Sequence, residues 1–237
     1  MTGFDLGALD RTAYVLILQG LLMTCKLAAA SLFWAALVGV IVGTIRWSKL
    51  PAISQLCLAY IELARNTPPL VQILFWYFSA SVVLPEWAFM RLRNAGYEFS
   101  AAVVALSLYH GAFIAEVFRA GLNAIGRGQY DAARALGMNF WQMMTRIVTP
   151  QVGRLIAPPM VNEAVALVKS TSLALAIGVA ELTYEYKQID NFMFRGVEAL
   201  VVVTALYLVL CLILSQLGRL LSNRLAARHT AIIEVTA

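Results

Sequence analysis

Long apolar blocks recur along this chain and constrain its fold more than any other feature. They stand at about residues 13–43, 52–82, 100–118, 155–179 and 197–217. About 20 apolar residues in a helix are enough to cross the hydrocarbon of a bilayer. Within a bilayer each backbone polar group must be satisfied internally, so blocks of this kind are read as helices. Composition agrees. Of the residues, 61% are hydrophobic and 13% charged, whereas soluble chains carry about 25% charged residues. The expected fold is an all-α membrane protein with five transmembrane helices. With no internal repeat and no low-complexity segment, one transmembrane domain is the simplest organisation.

The first block carries Ala28, Ala29, Ala30, Gly39 and Gly43, small residues suited to close helix packing. Lys26 lies inside it and is expected to snorkel or to face the protein interior. The three cysteines, Cys25, Cys57 and Cys211, all fall in apolar blocks without a CxxC pair, which indicates neither a disulfide framework nor a zinc site. Asp5 and Asp10 stand where a signal peptide would carry a basic region, so the first block is read as a retained span.

The net charge of +5 is a topology signal here and not a sign of nucleic-acid binding. Arg46, Lys49, Arg119, Arg127, Arg134, Arg146, Arg154, Arg219, Arg224 and Arg228 follow spans one, three and five. Arg11, Arg91, Arg93, Lys187 and Arg195 occupy the other side. Cations concentrate in cytoplasmic loops. The loop around Asp131 and the C-terminus are therefore expected in the cytoplasm, and the N-terminus outside.

Three blocks carry polar residues. The second carries Glu62, Arg65, Asn66, Thr67, Pro68 and Pro69. Glu62 and Arg65 are spaced to pair on a helix, and the prolines free carbonyls that need other partners. A satisfied ion pair beside a kink competes here with the wall of a polar pathway. The third block carries His110 and Glu116; His110 has no second histidine or cysteine at metal spacing and is read as hydrogen-bonded packing. The fourth block is the most polar. Asn162, Glu163, Ala166, Lys169, Ser170 and Leu173 form one half-polar ribbon by helical spacing. Glu163 and Lys169 are about 120° apart on an ideal helix, so each is expected to meet another helix or a ligand. Charges within spans usually face a bundle interior or a water-filled cavity.

Between the third and fourth blocks lies Asp131 to Pro150, DAARALGMNFWQMMTRIVTP. A helical piece from Gln129 to Leu136 is expected to stop at Gly137. Asn139 is placed to cap a second piece ending at Pro150, with Trp141, Met144, Ile147 and Val148 at helical spacing. A charged helix between spans is either a solvated loop or a docking knob for another protein.

This stretch resembles the EAA loop of permease subunits of bacterial ABC importers. The pattern there is an acid, Ala-Ala, three residues, Gly, nine residues, Ile, one residue and Leu-Pro. Here Asp131, Ala132, Ala133, Gly137, Ile147 and Thr149-Pro150 stand in those places, with Asp for Glu and Thr for Leu. ELARNTPPLVQ, from Glu62, is similar to the E-x-x-R-x-T-P-x-L-x-Q run of the polar-amino-acid branch. The run EVFRAGLNAIGRGQYDAARALGM from Glu116 matches the same branch, and NEAVALVKSTSL from Asn162 resembles its N-x-x-x-x-L-x-K-x-T-S-L segment.

The resemblance spans roughly residues 12–222 and implies a MetI-like permease fold with a short cytoplasmic coupling helix. It divides the chain into an extracytoplasmic lead (1–11), a permease domain (12–222, coupling loop 127–150) and a cytoplasmic tail (223–237). It implies ATPase coupling through Asp131, Ala132, Ala133 and Gly137. It also implies a substrate pathway through Glu62, Thr67, Asn162, Glu163, Lys169 and Ser170. The partners implied are a cytoplasmic ABC ATPase dimer, a periplasmic solute-binding protein and a second permease subunit, identical or similar, in the inner membrane. No G-x-x-x-x-G-K-[ST] loop occurs, so no cofactor is expected in this chain; ATP and Mg belong to the partner ATPase. The cargo implied is a polar amino acid, and Pro158-Pro159-Met160 with Glu163 and Leu167-Val168-Lys169 resembles acidic-amino-acid permeases.

Two other classes remain open from the residues. A secondary amino-acid transporter would also carry charges and breaks in its spans, but it usually shows repeated halves. A membrane enzyme would need a nucleophile, base or metal cluster, and His110 and His229, the two histidines, lie far apart in sequence.

Overall fold

The computed structural model describes residues 9–48 and 51–236, with side chains through Arg224. Expectations resting on Asp5, Lys49, Arg228 and His229 lie outside the residues and side chains described. The described residues form helices joined by short turns: α1 (Arg11–Ser48), α2 (Pro51–Arg65), α3 (Pro69–Val83), α4 (Glu86–Asn94), α5 (Tyr97–Ala124), α6 (Arg127–Ala135) and α7 (Phe140–Met143). A π-helical turn (Met144–Val148) then leads into α8 (Thr149–Ser170), followed by a 3₁₀ segment (Thr171–Ile177), α9 (Leu182–Met193) and α10 (Gly196–Thr236).

Among the described residues, four helical stretches are long and apolar enough to cross a membrane: Arg11–Ser48, Tyr97–Ala124, Phe140–Ile177 and Gly196–Arg224. The expected second span is instead two helices of 15 residues each, α2 and α3, parted at Pro68-Pro69. Pro68 has no N–H to offer the Ala64 carbonyl, and the Gln72 side chain donates to that carbonyl at 2.8 Å in its place. The break is thereby satisfied from within the chain, as a buried backbone carbonyl requires. The α10 helix also runs through the boundary drawn at residue 223.

The α5 helix is central and packs against α1, α2, α3, α8 and the 3₁₀ segment. Small residues let α1 reach it. A Cβ added at Gly39 would stand 2.3 Å from Ile114 Cγ2, and one at Gly43 2.6 Å from the Ala115 carbonyl oxygen. One apolar core joins Leu27, Ile73, Leu106 and Ile177; a second joins Ile17, Leu182, Ile189 and Val203 across α1, α9 and α10. Glu181 fastens that second region. Its carboxylate accepts from the Thr183 and Tyr184 backbone N–H groups at 2.9 and 3.0 Å and from the Tyr207 hydroxyl at 2.6 Å. Burial pushes this carboxyl above the usual carboxylate range, and the three hydrogen bonds oppose that shift.

Pro150 does not end a helix. From Phe140 to Ile177 the chain is one continuous helical stretch. The π turn is the reason. There the Thr149 N–H reaches back five residues to the Met144 carbonyl, and Pro150 falls in the first turn of α8, where a missing N–H costs least. After Ser170 the fourth span tightens to 3₁₀ geometry and stops at Gly178, whose φ of 83° is left-handed.

Candidate functional sites in the coupling loop and between α5 and α8

The loop after α5 is built by local rules. Gly137 has φ 72°, a conformation that costs other residues about 1–2 kcal/mol. Its N–H meets the Arg134 carbonyl at 2.9 Å and the Met138 N–H meets the Ala133 carbonyl at 3.1 Å, the paired bonds of a Schellman stop. Asn139 and Gln142 then exchange side-chain and backbone bonds at 2.9 and 3.0 Å, a capping box that starts α7.

Of the four residues expected to couple to an ATPase, Asp131, Ala132 and Gly137 are exposed, and Asp131 lies 3.8 Å from Arg134. Ala133 points the other way. It is 1% exposed and packs with Leu122, Ile125, Met143, Val148 and Val152. Its small side chain seats α6 on its own chain and does not offer a surface. The outward apolar groups are Leu136 (75% exposed), Phe140 and Trp141 (74% exposed). Spacing put Trp141 with the inward Val148; the π turn between them shifts that register.

From behind, Trp47 stacks on Tyr130 with ring centroids 6.2 Å apart. The Tyr130 hydroxyl donates to the Leu122 carbonyl at 3.3 Å, and burial raises its pKa above the ordinary phenol value. Glu116, near the end of α5 towards this loop, is held by Arg119 at 2.7 Å and faces Arg46 at 3.8 Å. The link to Arg46 carries no sequence signal, because the partners are on different helices.

The polar residues of the spans are distributed differently from the expected ribbon. Glu62 does not pair with Arg65. Asn66 Nδ2 donates to Glu62 Oε2 at 3.0 Å, while the Arg65 guanidinium lies over the Phe113 ring, 5.2 Å from its centroid. Thr67 donates to the Leu63 carbonyl at 2.8 Å. Both Glu62 and Thr67 thus bond within their own helix and its end. The α8 helix packs mainly on α5 and α10, with a smaller contact to α1, and its 3₁₀ extension packs on α3.

The α8 ribbon itself is split. Lys169 lines a shallow crevice with Ser172, Thr204, Tyr207 and Cys211 on the α10 side. Asn162 lines another with Ser215, Arg219, Ser222 and Asn223. Glu163 and Ser170 turn to α5, where His110 stands between them: Nδ1 is 3.2 Å from Glu163 Oε2 and Nε2 is 3.2 Å from Ser170 Oγ. His110 is 2% exposed. It is buried and hydrogen-bonded, and spacing gave no hint of its partners, which are 53 and 60 residues away.

Residues 35–227 match the family described as binding-protein-dependent transport system inner membrane component. The chain is 35% identical over 214 residues to the probable amino-acid ABC transporter permease protein PatM of Vibrio harveyi, covering 90% of this chain and 93% of that one. A crystal structure of an amino acid ABC transporter with histidines superposes with a TM-score of 0.75 at 31% identity, over 91% of this chain and 99% of that one. The inward-facing MetNI methionine ABC transporter superposes with a TM-score of 0.78 at 18% identity, over 92% and 99% of the two chains. That last likeness shows the fold alone, which is MetI-like.

Proposed function

The chain belongs to the family of inner membrane components of binding-protein-dependent transport systems, a transport component and not an enzyme, and from that premise we propose that it is the permease subunit of an ATP-driven importer of polar amino acids. It spans the inner membrane several times and works with an ATPase and a solute-binding protein. A second permease subunit completes the pathway, as an identical or similar copy. ATP and Mg are held by the ATPase. The basic-residue bias supports a cytoplasmic C-terminus and an extracytoplasmic N-terminus.

The observation that carries this reading is the knob after α5. It projects Asp131, Ala132, Leu136, Phe140 and Trp141, and its base is fixed by Ala133, Tyr130 and Trp47. Large exposed apolar groups beside charges on a rigid local frame suit docking to another protein. Glu62, Thr67, Asn162, Glu163, Lys169 and Ser170 are the proposed pathway residues, with Glu163 suited to an ammonium and Lys169 to a carboxylate. An acidic amino acid is the preferred cargo of this proposal, resting on Pro158-Pro159-Met160 and the Glu163-to-Lys169 segment.

The test is uptake by proteoliposomes holding the chain with its ATPase and binding protein. Labelled glutamate, glutamine and arginine are offered in turn. Uptake that needs both ATP and the binding protein is expected, fastest for glutamate. Uptake driven by an ion gradient without the ATPase would instead establish a secondary transporter, and faster uptake of another amino acid would overturn the acidic preference alone.

A further inference from the structure

His110 sits halfway along α5, the fourteenth of its 28 residues, and both of its ring nitrogens are engaged by α8. The two partners, Glu163 and Ser170, are two helical turns apart, about 10 Å along the axis. Ser170 has a short side chain whose hydroxyl lies 3.2 Å from Nε2 and 3.0 Å from the Ala166 carbonyl; with Nδ1–H donating to the Glu163 carboxylate, Nε2 accepts the hydroxyl's one proton. The ring is therefore anchored at one end by Ser170, and Glu163 must extend along the helix to reach the other. The exposure of the pair is uneven. The His110 side chain is 3% exposed and the Glu163 side chain 21%. The ring is sealed behind a carboxylate that remains partly open.

We propose that His110 is a positioning residue for transport: anchored by Ser170, it holds the Glu163 carboxylate in place for the ammonium group of the passing amino acid. The proposal rests on the reading that Glu163 lines the pathway. Without the imidazole, the Glu163 side chain regains its rotamers, so the carboxylate no longer waits in one place. Loss of a hydrogen bond to a charged group should weaken that recognition on the order of tenfold.

The experiment uses the complete complex in proteoliposomes, with uptake expressed per assembled complex. Four variants are compared with the parent: Glu163→Gln, His110→Asn, His110→Gln and the double substitution Glu163→Gln with His110→Gln. Asn places its amide N–H near the ring Nδ1 and can still reach Glu163; Gln places it near Nε2, towards Ser170, and leaves Glu163 unheld. The expected result is a loss of about tenfold in His110→Gln, largely restored in His110→Asn, with Glu163→Gln also reduced. The double variant should be no worse than Glu163→Gln alone, because His110 acts through that carboxylate. Losses that multiply in the double variant would overturn the proposal and leave His110 as packing. So would equal losses in His110→Asn and His110→Gln, or parent-like uptake in Glu163→Gln. Failure of the parent complex to import any amino acid with ATP and binding protein would instead remove the transport reading beneath it.

Discussion

The loop after α5 and the α5–α8 contact do comparable jobs of fixing polar groups in space, but by opposite means. In the loop, the defining bonds join near neighbours: Asn139 with Gln142, Gly137 with Arg134, Met138 with Ala133. Between α5 and α8 they join His110 to partners 53 and 60 residues away, and they exist only because the two helices pack. Gly121 shows how closely: a Cβ there would stand 2.4 Å from Ile156 Cγ2. The loop is therefore expected to hold its shape by local chemistry, and the intramembrane cluster by packing far along the chain.

Breaking one region while sparing the other tests that contrast. The largest effect is expected from Gly137→Pro. Proline needs φ near −65° where the structure has 72°, and it deletes the N–H bonded to Arg134. A cost of about 3 kcal/mol should abolish ATP-driven uptake, while thermal melting of the membrane helices changes little. The opposite pattern is expected from Gly39→Leu. Overpacking against Ile114 should cost about 2 kcal/mol, seen as a lower melting temperature and a poorer yield of assembled complex. A low yield with an unchanged melting temperature would count against the close α1–α5 contact.

Asn139→Ala removes one half of the capping box, a loss of about 1 kcal/mol. Uptake should fall severalfold, and Asn139→Asp, which keeps the acceptor, should restore most of it. The smallest effect on stability belongs to Asp131→Asn. The Asp131–Arg134 pair is fully in solvent's reach, and exposed pairs contribute about 0–1 kcal/mol. Unchanged melting is expected, so a fall in uptake by this variant measures docking alone. Normal uptake would remove Asp131 from the docking surface.

Sequence reading succeeded where structure is made of neighbours. Gly137 and Asn139 announce a stop and a start within three residues, and the apolar blocks announce helices by length. It failed where a third element decides orientation. Ala133 on an amphipathic piece carries no mark of which side its own chain will cover. Glu62 and Arg65 are spaced to pair, but Asn66 and Phe113 offered alternatives that spacing does not rank. Pro150 reads as a stop unless the π turn before it is known. Helical spacing placed Glu163 and Lys169 correctly about the axis of α8, yet only the positions of α5 and α10 determine that they face different neighbours.

The continuity of helix from Phe140 to Ile177 has a mechanical consequence. Trp141 and Glu163 sit on one lever, 22 residues and about 33 Å apart, with no loop between them. A tilt of about 5° over that arm sweeps about 3 Å, comparable to the 3.2 Å that separates Glu163 from His110. A small push at the Trp141 end would thus suffice to open or close the contact between Glu163 and His110. Pro150, Pro158 and Pro159 are the points at which such a lever would flex and lose travel. Spin labels at positions 141 and 163 distinguish the cases: a separation that stays constant through the ATPase cycle marks a rigid arm, and one that changes marks a bending arm whose stroke is spent at the prolines.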